Sequence, residues 1–233
     1  MLLLWLLACL PHGEAQVHAL ADAAEVDDAA LAKLVKTLKS QDDATWKAAY
    51  EELLAFGPDA VPELRAAIQA NKPEAGRALL VLAELGFAEN FDLLDAAMGV
   101  PTLRPYAEAG WGLAEEALWS RLRARPSVAL AEDYLSWFPQ GPMGAEAEEI
   151  RWQESAWEAL DALGPRPTQG QLLGIVREFQ DTRAAQEARR MLGQRALDEA
   201  EAALAGGRPE QALDLLGRVA DLDPGLDTRP VEA

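Results

Sequence analysis

Apolar residues recur along most of the chain at the spacing of an amphipathic helix. In DDAALAKLVKTLKS, residues 27–40, the apolar positions follow the i, i+3, i+4, i+7 order of one helical face: Leu31, Leu34, Val35 and Leu38. In DDATWKAAYEELLAFG, residues 42–57, a second stripe repeats this order: Trp46, Ala49, Tyr50 and Leu53. No stretch shows the alternation typical of a strand, so the pattern predicts an all-α fold.

A glycine and two prolines separate the second of these helices from the next one, in AFGPDAVPEL at residues 55–64. Gly57 lies where a left-handed residue would end a helix, and Pro58 prevents its continuation. Asp59 can cap a new helix, and Pro62 lies in its first turn, where the missing N–H costs nothing. The segment therefore predicts a tight elbow between two antiparallel helices.

The elbow is used more than once. YEELLAFGP at residues 50–58 is echoed by WEALDALGP at residues 157–165. Later helices end at comparable positions, Pro139, Gln180 and Pro224, which are 41 and 44 residues apart. Helical pairs repeated at such a period are typical of an α-solenoid, in which each unit buries its apolar face against its neighbours. We therefore expect an α-solenoid of antiparallel helix pairs.

The composition indicates which residues fill the core, and the net charge indicates which classes of partner are disfavoured. Aromatic residues make up only 6% of the chain, so the core is expected to consist mainly of closely packed Ala and Leu. The net charge of −18 opposes binding to nucleic acid and to anionic lipid surfaces. A protein or peptide partner is expected instead.

The N-terminus begins with an apolar run from Leu2 to Leu10, which is too short to span a bilayer as a helix. Such a run is typical of a signal peptide, cleaved after a small residue such as Ala15. Leu6 to Cys9 also fits a lipoprotein signal, in which Cys9 would be lipidated. No Lys or Arg precedes the run, and the alternative is an apolar first helix of a cytosolic protein. We predict export to the periplasm or cell envelope, with a membrane attachment only through lipidated Cys9.

Residues for catalysis are scarce. His12 and His18, the only histidines, lie near the predicted cleavage site, so the folded body has no histidine base for a nucleophile and no histidine zinc ligand. The C-terminal DLDPGLDTRPVE has acids at calcium-loop spacing, but Leu226 occupies the position that requires glycine. We predict no catalytic residues, no cofactor and no metal.

Tryptophan is concentrated in one part of the chain, because five of the seven lie between Trp111 and Trp157. Aromatic residues beside basic ones can anchor a peptide that is acidic or ends in a free carboxylate. The predicted partner-binding residues are Trp111, Trp119, Arg121, Arg123, Arg125 and Trp137. The alternative is that the tryptophans fill the seams between helix pairs.

The elbow sequence AFGPDAVPELRAAI makes residues 43–98 resemble HEAT repeats. Residues 127–225 resemble tetratricopeptide repeats, in which the last unit carries the family's glycine, packing and terminal Asp-Pro positions: Gly207, Ala212, Leu213, Leu216, Asp223 and Pro224. Phe138, Pro139, Pro142 and Ala147 also resemble an elbow of bacterial envelope tetratricopeptide proteins, and Phe179 and Ala188 repeat it in part. These resemblances imply a binding scaffold.

The expected organisation is a signal segment, a linker, two repeat regions and a tail: residues 1–15 (or a lipoprotein signal that ends before Cys9), 16–26, 27–99, 100–225 and 226–233. The expected function is non-catalytic protein binding in the bacterial cell envelope. One alternative is a carboxylate-based hydrolase or glycan-handling protein, which would need two acids facing each other in a cleft. Another is a structural spacer without a bound partner.

Overall fold

A computed structural model describes residues 28–222, with side chains up to Arg218. The predicted signal segment, Cys9, the linker, both histidines and the tail lie outside these residues. The chain divides into two compact units, residues 1–117 and 118–233. The predicted division into two repeat regions falls earlier, between residues 99 and 100, and stays a prediction.

The described part of the chain is helical and contains no strand. Numbered within it, the helices are α1 Asp28–Thr37, α2 Asp43–Phe56, α3 Val61–Gln69, α4 Ala75–Leu85, α5 Phe91–Met98, α6 Arg104–Ala124, α7 Val128–Trp137, α8 Gly144–Asp161, α9 Gln169–Glu178, α10 Arg183–Ala205 and α11 Pro209–Leu222. The all-α prediction is confirmed. None of these helices is both long and apolar enough to cross a membrane.

The predicted apolar stripes of the first two helices face the interior of the first unit. Leu31, Val35 and Leu38 are buried, as is Leu53 on α2. The N-terminus of α2 is capped by Asp42, whose Oδ2 accepts the Thr45 backbone N–H at 2.8 Å. Local capping and the apolar stripe therefore agree on where α2 begins and which side it buries.

The elbow between α2 and α3 differs in detail from the prediction. Gly57 has the expected positive φ of 60°, but its ψ of −127° lies outside the left-handed helical region. A 3₁₀ turn over Gly57–Ala60 follows, so the residue that precedes α3 is Ala60 and Asp59 makes no capping bond. The predicted Asp59 cap is wrong because the short turn shifts the start of α3 beyond it. Pro62 lies in the first turn of α3, as predicted.

Helices of the first unit pack against the next helix and the next but one: α1 on α2 and α3, α2 on α4, α3 on α4, and α4 on α5. Their shared core consists mainly of Leu and Ala, including Leu64, Leu79 and Leu82, all fully buried. These neighbour contacts fit a helical stack within the unit.

Gly110 allows α6 to approach two other helices of the first unit closely. A Cβ at Gly110 would lie 2.7 Å from Leu94 Cδ2 and 3.4 Å from Ala83 Cβ. Leu94 is fully buried and so has little room to move. Gly112, on the same helix, is exposed, and a Cβ there would meet nothing within 4 Å.

Replacing Gly110 with alanine is expected to lower the free energy of unfolding by about 1–2 kcal/mol, because overpacking outweighs the gain in helix propensity. Gly112→Ala is the matched control and is expected to raise it by up to about 1 kcal/mol, since only the propensity gain applies. Urea denaturation followed by circular dichroism measures both. Equal effects of the two substitutions would contradict the close approach.

In the second unit, α7 and α9 begin and end in the same way. Each helix is capped by a hydroxyl that accepts the backbone N–H of the residue three positions later: Ser127 accepts from Leu130, and Thr168 from Gln171. Phe138 and Phe179, 41 residues apart, follow the last turns with φ, ψ of −124°, 56° and −116°, 47°. The elbow residues that the sequence paired therefore share one backbone geometry.

Packing in the second unit again joins near neighbours: α7 with α8, α8 with α9 and α10, α9 with α10, and α10 with α11. The two elbow motifs that the sequence paired also share an alanine nine positions after the phenylalanine. These alanines, Ala147 on α8 and Ala188 on α10, are both fully buried. In the last predicted repeat, Ala212 and Leu216 are buried as expected, whereas Leu213 is 67% exposed. Leu213, which matches an apolar position of the resembled family, therefore lies on the outer side of α11 and not in the core.

Candidate functional site

The predicted partner-binding residues are divided between the two units. Trp111, in the first unit, is half-buried and meets the buried Phe91 edge-on, with ring centroids 6.0 Å apart. Trp119, in the second, is half-buried with its ring 5.5 Å from that of the fully buried Tyr134. Both tryptophans therefore contribute to packing within their own unit.

The other predicted residues lie in the second unit. Trp137 and Arg121 are half-buried, while Arg123 and Arg125 are exposed. None of the predicted set lines the clefts described below. Whether these residues bind a partner stays a prediction.

One face of α8 forms the floor of a cleft in the second unit. Glu149, Ile150, Gln153, Glu154 and Trp157 follow one another at helical spacing and point to the same side. Pro126, from the connection before α7, and Arg183, the first residue of α10, complete the lining. This cavity, which we call cleft 1, has a volume of about 290 Å³.

Trp157 also lines a second cavity, further along α8. The volume of this cavity, cleft 2, is about 460 Å³. Its lining is drawn from the end of α8, the connection to α9, and α10: Trp157, Leu160, Asp161, Gly164, Pro165, Pro167, Glu187 and Met191. Trp157 therefore contributes to the lining of both cavities, which are neighbours at this residue.

Trp157 is held by the hydrophobic core beneath it. It packs against a buried cluster contributed by α8, α9 and α10, which includes Leu160, Leu172 and Ile175. The side chain is half-buried, and its indole N–H donates to no described residue. An aromatic ring fixed in this way offers apolar area and a hydrogen-bond donor at little entropic cost.

Gln153 fixes the polar side of cleft 1. Its Oε1 accepts the backbone N–H of Arg183 at 3.0 Å, and its Nε2 donates to Glu149 Oε1 at 2.8 Å. Thr182, which is fully buried, caps α10 by accepting the Ala185 N–H at 3.1 Å. The start of α10, and with it the backbone of Arg183, is therefore fixed against α8.

Carboxylates outnumber cations in the two clefts. Glu149 and Glu154 line cleft 1 together with Arg183, while Asp161 and Glu187 line cleft 2. The guanidinium of Arg190 donates to both carboxylate oxygens of Glu187, at 2.6 and 2.8 Å. This hydrogen bonding lowers the pKa of Glu187 below its ordinary value and so favours the charged form.

The remaining carboxylates of the clefts are Glu149, Glu154 and Asp161. Within residues 28–222, no ion pair involves Glu149, Glu154 or Asp161. In the part of the chain that the structure describes, no group of three or more His, Cys, Asp or Glu side chains is arranged to hold a metal ion.

Sequence reasoning included Trp157 in the tryptophan-rich region but did not select it. The spacing of Glu149, Gln153 and Trp157 along α8 was a usable signal, because it places all three on one helical face. Pro126 and Arg183 are 23 and 34 residues from Glu149, so their part in cleft 1 depends on the tertiary fold.

Comparison with protein-family models, with curated proteins and with solved structures finds no match to this chain. The resemblances to HEAT and tetratricopeptide repeats therefore rest on the residues quoted above.

Proposed function

We propose that this chain is a non-catalytic protein-binding scaffold whose second unit holds a short segment of a partner protein. The observation that carries the proposal is Trp157, a half-buried indole fixed on the core and shared by two adjacent clefts. Rigid aromatic side chains in such positions contribute a large share of binding energy at protein interfaces. Clefts 1 and 2 lie side by side, which suits an extended peptide better than a compact small molecule.

The proposed architecture is an α-solenoid with HEAT-like helix pairs first and tetratricopeptide-like pairs second. The nearest-neighbour packing within each unit supports it. The matched ends of α7 and α9, at equal spacing from buried Ala147 and Ala188, support a repeated helical pair in the second unit. The proposed location is the bacterial cell envelope, on the basis of the apolar run from Leu2 to Leu10.

Site-specific photo-crosslinking tests the proposal. A photoreactive amino acid replaces Glu154, which lines cleft 1, or Glu158, an exposed residue of the same helix that lines neither cleft. In cells that produce the full chain, we expect one partner, identified by mass spectrometry, to be captured from position 154 and not from position 158. Equal capture at both positions, or capture at neither, would contradict binding in cleft 1.

A pair of tryptophan variants distinguishes specific binding of the partner at Trp157 from non-specific hydrophobic association. Trp157→Ala should abolish the crosslink from position 154, because within residues 28–222 Trp157 is the one residue that lines both clefts. Trp152→Ala is the matched control, since Trp152 lies on α8, is 43% exposed and lines neither cleft. In the Trp152→Ala variant the crosslink from position 154 should persist. Circular dichroism establishes that both variants are folded.

A further inference from the structure

We propose that the segment bound in clefts 1 and 2 is basic, with Lys or Arg side chains beside an apolar residue. This inference rests on the proposed function and adds the chemistry of the partner. It follows from the arrangement of charge around Trp157. Glu154 precedes Trp157 by three positions and Asp161 follows it by four.

Residues three and four apart on a helix are surface neighbours. The ring of Trp157 is therefore flanked on α8 by a carboxylate on each side, one lining cleft 1 and the other cleft 2. A cationic side chain over the indole would gain the attraction of the ring face and of both carboxylates.

The charge balance of each cleft points the same way. In cleft 1 two carboxylates, Glu149 and Glu154, face a single guanidinium, that of Arg183. In cleft 2 the lining carboxylates are Asp161 and Glu187, of which Glu187 pairs with Arg190, and Arg195 donates to the Pro167 carbonyl at 2.8 Å. The side chains that line each cleft therefore include more carboxylates than cations, an excess that a positively charged partner residue would complement.

This partner is opposite in charge to the one that the arginine-rich end of α6 predicts. Arg121, Arg123 and Arg125 favour an acidic ligand, but they line neither cleft. The net charge of −18 on the whole chain also favours association with a basic segment, since long-range attraction raises the rate of encounter. The lining residues and the overall charge thus agree.

Three mixtures of short fluorescein-labelled peptides test the inference on the full chain. All have a fixed central Leu and randomised small and apolar positions, and they differ only at the flanking positions, which are all Lys, all Ser or all Glu. Fluorescence anisotropy measures binding. We expect the Lys mixture to bind about tenfold or more tightly than the Ser mixture, and the Glu mixture to bind most weakly.

Variants distinguish the clefts from the general negative charge. The double variant Glu154→Gln with Asp161→Asn should weaken binding of the Lys mixture by about tenfold and leave the Ser mixture nearly unchanged. The matched control, Glu158→Gln with Glu178→Gln, removes the same charge from exposed positions outside both clefts and should change little. Equal weakening by the two double variants would overturn the inference, because attraction would then be non-specific.

The remaining outcomes separate the inference from the proposed function. If the Ser or Glu mixture binds as tightly as the Lys mixture and Trp157→Leu abolishes that binding, the clefts bind peptides without a preference for basic ones. The inference then fails and the proposed function stands. If no mixture binds, both fail.

Discussion

Replacing Arg77 with methionine is expected to lower the free energy of unfolding of the first unit by about 2–4 kcal/mol. Arg77 lies on α4, and its Nη1 donates to the backbone carbonyls of Leu38 and Ser40, at 2.6 and 2.7 Å, just after α1 ends. Its guanidinium also stacks on the α2 residue Trp46, 4.3 Å from the ring centroid. Methionine keeps much of the side-chain volume but leaves both carbonyls without this donor.

Lys47 provides the control for the aromatic contact. Its Nζ lies 5.6 Å from the same Trp46 ring, but the side chain is exposed and belongs to α2 itself. Lys47→Met should change the free energy of unfolding by less than about 0.5 kcal/mol. Arg77→Lys should recover only part of the loss, because an ammonium can donate to carbonyls but has no planar guanidinium to stack on Trp46. Urea denaturation measures all three variants, and comparable losses at Arg77 and Lys47 would contradict the bridging role.

Arg77 illustrates what the sequence could not reveal. The apolar stripe of α1 predicted Leu38 on a buried face, and Leu38 is fully buried. The acids that precede α2 are a second signal, since Asp42 caps that helix. Both signals are local, since they depend on residues within two turns. The partner of the carbonyls after α1 is 37 to 39 residues away, and nothing in the sequence around Ser40 indicates it.

At the elbow around Gly57, the local sequence also predicts only part of the structure. Glycine and proline predicted a break and a restart, and both are present. The conformation between them depends on how α2 and α3 pack, because a 3₁₀ turn fills the connection and leaves Asp59 without a capping role. Residue types therefore predicted that the chain turns here, but not the path that it takes.

Burial of apolar residues likewise depends on neighbouring helices. Leu213 fits the spacing of a packed position, yet it is 67% exposed, whereas Leu216 on the same helix is 8% exposed. Periodicity identifies an apolar residue, but only the arrangement of helices determines which ones meet. The same holds for clefts 1 and 2. The spacing along α8 predicts which of its residues share a face, but the other lining residues come from segments elsewhere in the sequence and depend on the tertiary fold.

Tyr134→Ala is expected to have the largest effect on the second unit, a loss of about 3–5 kcal/mol in the free energy of unfolding. Tyr134 on α7 is fully buried, and its ring centroid lies 5.5 Å from those of both Trp119 and Phe138. Removing the ring would leave a cavity between two aromatic neighbours. Urea denaturation measures the loss, and Tyr134→Phe, which keeps the ring, is the control and should cost less than about 1.5 kcal/mol. A loss below about 1 kcal/mol in Tyr134→Ala would contradict the packing.

A double-mutant cycle between Tyr134 and Trp119 then tests whether Trp119 belongs to the core or to a binding surface. If the rings stabilise each other, their coupling should be about 0.5–1.5 kcal/mol, and Trp119→Ala should itself destabilise the unit. Trp119 would then be a packing residue, and the basic patch at Arg121, Arg123 and Arg125 would lose its aromatic anchor. If Trp119→Ala leaves stability unchanged and the coupling is absent, the ring is available to a partner. The prediction of an acidic ligand at the end of α6 would then gain over that of a basic one at Trp157.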